Sequence, residues 1–87
     1  MMHARPDYNR IQDPGVENPD LIPNGSTPIG EKEPVFILRA QDKTASAVVR
    51  YWAALNSYEG GDSNAVQLAL AQAVRMDEWP IKKWADV

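Results

Sequence analysis

Eighty-seven residues with a net charge of −3 and no cysteine leave room for one small domain, with no disulfide or thiolate metal site to brace it. The charge sits in residues 1–34, where six carboxylates oppose three bases, while the remainder is balanced at six against six. An acidic arm argues against binding along a nucleic-acid duplex, where affinity rests on many cationic contacts. No apolar run approaches the roughly 20 residues of a membrane span and no secretory signal pattern is present, so a cytoplasmic protein without a membrane partner is expected.

Residues 1–34 hold six of the seven prolines. Their spacing blocks any long helix, and Asp13-Pro14-Gly15 and Asn24-Gly25-Ser26 are turn signals. A Pro-rich extended N-terminal arm is predicted. Tyr8, Ile11, Val16, Leu21, Ile22 and Ile29 punctuate it at intervals that suit either pinning to a neighbouring surface or a solvated tail. The single histidine, His3, falls in a start expected to be mobile, so neither a histidine zinc site nor a histidine general base is expected.

Residues 35–87 make up the core in this reading: a strand, a helical hairpin and a Trp-containing tail. Val35-Phe36-Ile37-Leu38 is β-branched and aromatic, too short for a helix and preceded by proline, and reads as a strand. A lone strand cannot satisfy its own ladder, so it should pair with the arm, with a second copy or with a partner.

Helix one is predicted to start at Asp42, as a capping carboxylate, and to end near Ser57. Ala45, Val48, Val49, Trp52 and Leu55 form one apolar stripe, with Trp52 as a core residue. Ala47, Tyr51, Ala54 and Tyr58 form a second line beside it. Two lines exceed what one hairpin partner can cover, so a homo-oligomer is expected. Glu59-Gly60-Gly61 supplies a stop. Helix two follows from Asn64 to about Glu78, capped by Asp62 or Ser63 and stopped by Pro80. Val66, Ala69, Leu70, Ala73, Val74 and Met76 form its inner face. The short connection makes the pair an αα-hairpin. The fold class is therefore mainly α with one short β-strand.

Catalytic motifs are missing: no phosphate-cradling glycine loop, no nucleophile elbow, no EF-hand loop. The adjacent carboxylates Asp77 and Glu78 cannot face each other on a helix. The protein is therefore expected to be non-enzymatic and to need no cofactor or metal. What remains is cations beside aromatics. Arg39 follows the strand, Arg50 precedes Tyr51 and Trp52, and Lys82-Lys83 lie between Trp79 and Trp84. Guanidinium groups grip phosphates and aromatic faces stack on bases. A ligand site at a subunit junction is expected to use Arg39 and Arg50 for anionic groups and Tyr51 or Trp84 for stacking. Asp42, at the start of the same helix, opposes it.

The stretch Glu33-Pro34-Val35-Phe36-Ile37-Leu38-Arg39-Ala40-Gln41-Asp42, with Val48-Val49-Arg50-Tyr51-Trp52-Ala53 and Met76-Asp77-Glu78-Trp79, resembles a group of small uncharacterised proteins encoded by bacteriophages and prophages. The resemblance lies outside the arm. It implies a phage accessory protein that binds a host factor in the host cytoplasm, and brings no site residues with it. The expected function is that of a homo-oligomer that sequesters a nucleotide-type signal of bacterial immunity, as phage counter-defence proteins do; the alternative is an inhibitor or adaptor that binds a host enzyme through its arm or strand edge.

Overall fold

The computed structural model describes residues 1–23 and 25–86. Asn24 of the expected Asn24-Gly25-Ser26 turn and Val87 at the end of the expected core lie outside them. The chain is mainly helical with a short two-stranded sheet. It divides into two compact units that meet in sequence between Ile37 and Leu38.

In the first unit the prolines decide the local structure. Pro6, Pro14 and Pro19 each open a short 3-10 helix, at Pro6–Arg10, Pro14–Val16 and Pro19–Leu21, because proline presets the backbone for a first turn and lacks the N–H that such a turn leaves unused. Strand β1, Met2–His3, pairs in parallel with β2, Pro34–Val35, in the register Met2 to Pro34 and His3 to Val35. The expected strand over 35–38 is thus shorter and shifted, and Phe36 stands exposed after it. Its ladder partner is the start of the arm.

His3 is buried, against the expectation of a mobile start. Its Nε2–H donates to the Ile11 carbonyl at 2.6 Å, its backbone N–H donates to Asn9 Oδ1 at 3.0 Å, and its ring meets buried Tyr8 edge-on. The Arg5 guanidinium lies 4.6 Å from the Tyr8 ring centre. These contacts fix the first residues because the 3-10 turn at Pro6 folds the chain back over them. Further along, the Asp13 carboxylate accepts from the Gly15 N–H at 2.8 Å and from the Ile29 N–H at 3.0 Å. It thereby closes the loop between them and is held below the ordinary carboxylate range by those two backbone donors.

The second unit is built on α1, Ala45–Tyr58, and α2, Ser63–Glu78, which pack against each other. Helix α1 starts three residues later than expected. Asp42 is instead held in a backbone bridge to Lys83, and its carboxylate accepts from the Thr44 N–H and hydroxyl at 3.0 and 3.1 Å. The end of α1 follows the glycines: Gly60 takes φ 82°, its N–H reaches the Ser57 carbonyl, and the Gly61 N–H reaches Asn56 at 2.7 Å. That pair of bonds satisfies carbonyls the helix would leave orphaned. Asp62 then caps α2, accepting from the Asn64 N–H at 2.9 Å.

The seam between the helices is narrow. Ala45 and Ala53 on α1 and Val66, Ala73 and Met76 on α2 are buried, with Val49, Asn56 and Ala69 half-buried beside them. Trp52, expected in the core, is 46 % exposed, and Leu70 and Val74, expected on the inner face of α2, are exposed as well. The reason is steric. Three of the five buried seam residues are alanines, small side chains permit close approach of two helices, and Trp52 at the border of the seam keeps about half of its surface outside it.

Candidate functional site

Because alanine closes the seam, the large apolar side chains of α1 are left outside it. Val48, Tyr51, Trp52, Leu55 and Tyr58 are 45, 70, 46, 46 and 87 % exposed. They lie along a single helix, with Tyr51 and Tyr58 on the side opposite the seam, Val48 and Leu55 between, and Trp52 at the border of the seam beside Ala45 and Asn56. One edge of α1 is polar. There Arg50 Nη2 donates to Asp77 Oδ2 at 2.5 Å, tying α1 to the last turn of α2. The guanidinium, helped by a hydrogen bond from Ser46, holds the Asp77 carboxyl below the usual range, and the carboxylate in turn raises Arg50.

The tail after Pro80 is stitched to the segment before α1. The Lys83 N–H donates to the Gln41 carbonyl at 2.7 Å and the Lys43 N–H to the Lys83 carbonyl at 2.9 Å. Lys82 Nζ bridges the carbonyls of Ala40 and Met76 at 2.8 and 2.6 Å, so it caps the end of α2 with a cation. Lys43 Nζ stands 4.9 Å over the Trp84 ring, and Lys83 pairs with Asp86 at 3.0 Å. Arg39, Ala40, Gln41 and Trp79 line an open depression of about 320 Å3.

The four residues expected to hold a ligand thus have different surroundings. Arg39 borders the depression with Trp79, Arg50 is paired with Asp77, Tyr51 belongs to the exposed face of α1, and Trp84 lies under Lys43. Sequence reasoning missed Asp77 as the partner of Arg50, Lys43 as the cation on Trp84, and Leu68, an exposed leucine on α2. Opposite charges on two neighbouring helices were a usable signal for the first. Nothing in the local spacing marked the second, which depends on how the tail runs back beside residues 41–43.

Among the described residues, no group of three or more His, Cys, Asp or Glu side chains is gathered so as to hold a metal ion, and no helix is long and apolar enough to cross a membrane. No protein-family model, curated protein or solved structure matches the chain.

Proposed function

We propose that this protein is a non-catalytic binding module that works by protein–protein contact, assembling with copies of itself through the exposed face of α1. One observation carries the reading: a helix pair closed by alanines leaves Val48, Tyr51, Trp52, Leu55 and Tyr58 outside its seam. Large apolar side chains gathered on one surface mark contact sites rather than ordinary solvated surface. In the setting the phage resemblance implies, the further partner is a host protein.

The test is sedimentation equilibrium of the wild-type chain over a wide range of concentration. A mass above 9.7 kDa and a melting temperature that rises with concentration are expected. Leu55→Lys, which leaves the seam untouched, should return the protein to monomer. A concentration-independent monomer would overturn the reading.

The depression beside Arg39 and Trp79 favours a second reading, sequestration of a nucleotide-type immune signal. It ranks lower because Arg50, Lys43, Lys82 and Lys83 are already engaged within the chain, and an anion would have to displace those contacts. Calorimetry with cyclic dinucleotides, cyclic trinucleotides and ADP-ribose derivatives decides it. Binding tighter than about 10 μM, or roughly −7 kcal/mol, supports sequestration, and weaker binding rejects it.

A further inference from the structure

Ala47, Tyr51, Ala54 and Tyr58 recur along α1 at steps of four, three and four residues, and all four are exposed. This is the spacing of a coiled-coil seam, in which such a row meets its counterpart on a second helix. Within the row, alanine and tyrosine alternate strictly. That order makes the row directional.

Two copies laid parallel and in register would set alanine against alanine and tyrosine against tyrosine, so gaps would alternate with crowding along the contact. Laid antiparallel about a twofold axis midway between Tyr51 and Ala54, the row is its own complement. Ala47 then meets Tyr58 of the partner subunit, and Tyr51 meets Ala54 of the partner subunit. Every ring faces a methyl group, and the small side chain opposite lets the helices approach closely enough for the ring to fill the space. A surface that complements itself under a twofold rotation is what a closed dimer requires.

The flanks agree with the same arrangement. Val48 and Leu55 each follow an alanine of the row, and antiparallel pairing brings these two positions from both copies to one side of the contact. Arg50 and Ser57 fall on the other side, where Arg50 is held by Asp77. With aromatic side chains covering about 150–250 Å2 each, the row and its two flanking residues offer on the order of 600 Å2 per copy. Two copies then bury about 1,200 Å2, the lower end of a standard-size interface.

We infer that α1 pairs with α1 of a second copy of this chain, antiparallel across a twofold axis, through the row Ala47, Tyr51, Ala54 and Tyr58. The inference rests on the proposed self-assembly and adds its geometry. The chain has no cysteine, so introduced thiols are the only ones present. Under mild oxidation the double variant Ala47→Cys/Tyr58→Cys should form a covalent dimer, whereas Ala47→Cys alone should stay monomeric on a non-reducing gel. These positions are eleven residues apart on one helix, beyond the reach of an intramolecular disulfide.

Ala54→Glu, which sets a carboxylate against the partner's Tyr51, should shift the sedimenting mass from dimer to monomer with helix content unchanged. If the wild type is monomeric, self-assembly fails and the geometry with it. If the wild type is dimeric but Ala47→Cys cross-links by itself, the helices are parallel. If it is dimeric and Ala54→Glu has no effect, another surface is buried. Either of these last outcomes overturns the antiparallel pairing and leaves self-assembly standing.

Discussion

Arg50 on α1 donates to Asp77 near the end of α2 at 2.5 Å, and this ion pair ties the two helices together through their side chains. The Asp77 carboxyl is held below its ordinary value by that contact, so the sign of its linkage is fixed. Its contribution is complete above the unfolded carboxylate value of about 4 and is lost as the pH falls through the lower folded value. Both side chains are well exposed, so the effect at neutral pH is small and weakens with salt. Asp77→Asn should lower the melting temperature slightly at pH 7 and flatten its fall below pH 4. An acid dependence identical to that of the wild type would show that Asp77 is not the group responsible.

The two residues to contrast on the helix pair are Ala73, fully buried in the seam, and Trp52, half exposed outside it. Ala73→Leu forces three extra carbons between closely approached helices and should destabilise the pair by about 1–3 kcal/mol, a large share of the stability of so small a domain. Trp52→Ala removes more atoms yet should leave helix content and melting nearly unchanged at low protein concentration. Circular dichroism of the two variants measures both. Cooperative loss of helix in Trp52→Ala and not in Ala73→Leu would mean that Trp52, rather than Ala73, holds the helices together.

Much of the second unit was legible in the sequence. Gly60 and Gly61 end α1 and Asp62 caps α2, because backbone signals of this kind act over a few residues and need no tertiary partner. The choice of seam was not legible. Hydrophobic periodicity weights Trp52 and Leu55 above Ala53, but helices that pack alone in a pair are drawn together by the residues that permit close approach. The start of α1 was misplaced for a related reason: Asp42 is a good capping residue locally, and its bridge to Lys83 is a contact 41 positions away. Of the four candidate ligand residues, only Tyr51 lies on the face that the structure leaves open along α1. Arg50 looked available because its partner, Asp77, lies on the other helix.

Gly60 is a position in the turn where a side chain is opposed by the backbone conformation alone. Its φ of 82° lies in the left-handed region, and a Cβ there would meet nothing within 4 Å, so the penalty is purely that of the backbone. Gly60→Ala should destabilise the helix pair by about 1–2 kcal/mol, and Gly60→Asn by less, since asparagine tolerates this conformation better. Gly61→Ala tests a different effect, because its Cβ would lie 3.0 Å from the Asn56 carbonyl oxygen. Denaturant melts that rank Asn at position 60 below Ala would contradict the conformational explanation.

Asp13 closes a long loop of the first unit. Its carboxylate takes the N–H of Gly15 and, across a long loop, that of Ile29, so one side chain fixes both ends of a segment rich in proline. Asp13→Ala removes both acceptors at once and leaves the two donors to water. The amide of Ile29 should then exchange with solvent much faster, while amides within α1 and α2 keep their protection, since the bonds of Asp13 to Gly15 and Ile29 both lie within the first unit. The native contact also has a predictable acid limit. The carboxyl is held below its ordinary value, so its contribution is complete above about pH 4 and disappears as protonation proceeds through the lower folded value. In the wild type, protection of Ile29 should therefore persist at pH 5 and fall in stronger acid, and Asp13→Ala should show no such step. Hydrogen exchange followed by NMR at several pH values measures both. Unchanged protection of Ile29 in the variant would mean that the loop is held by contacts other than this carboxylate.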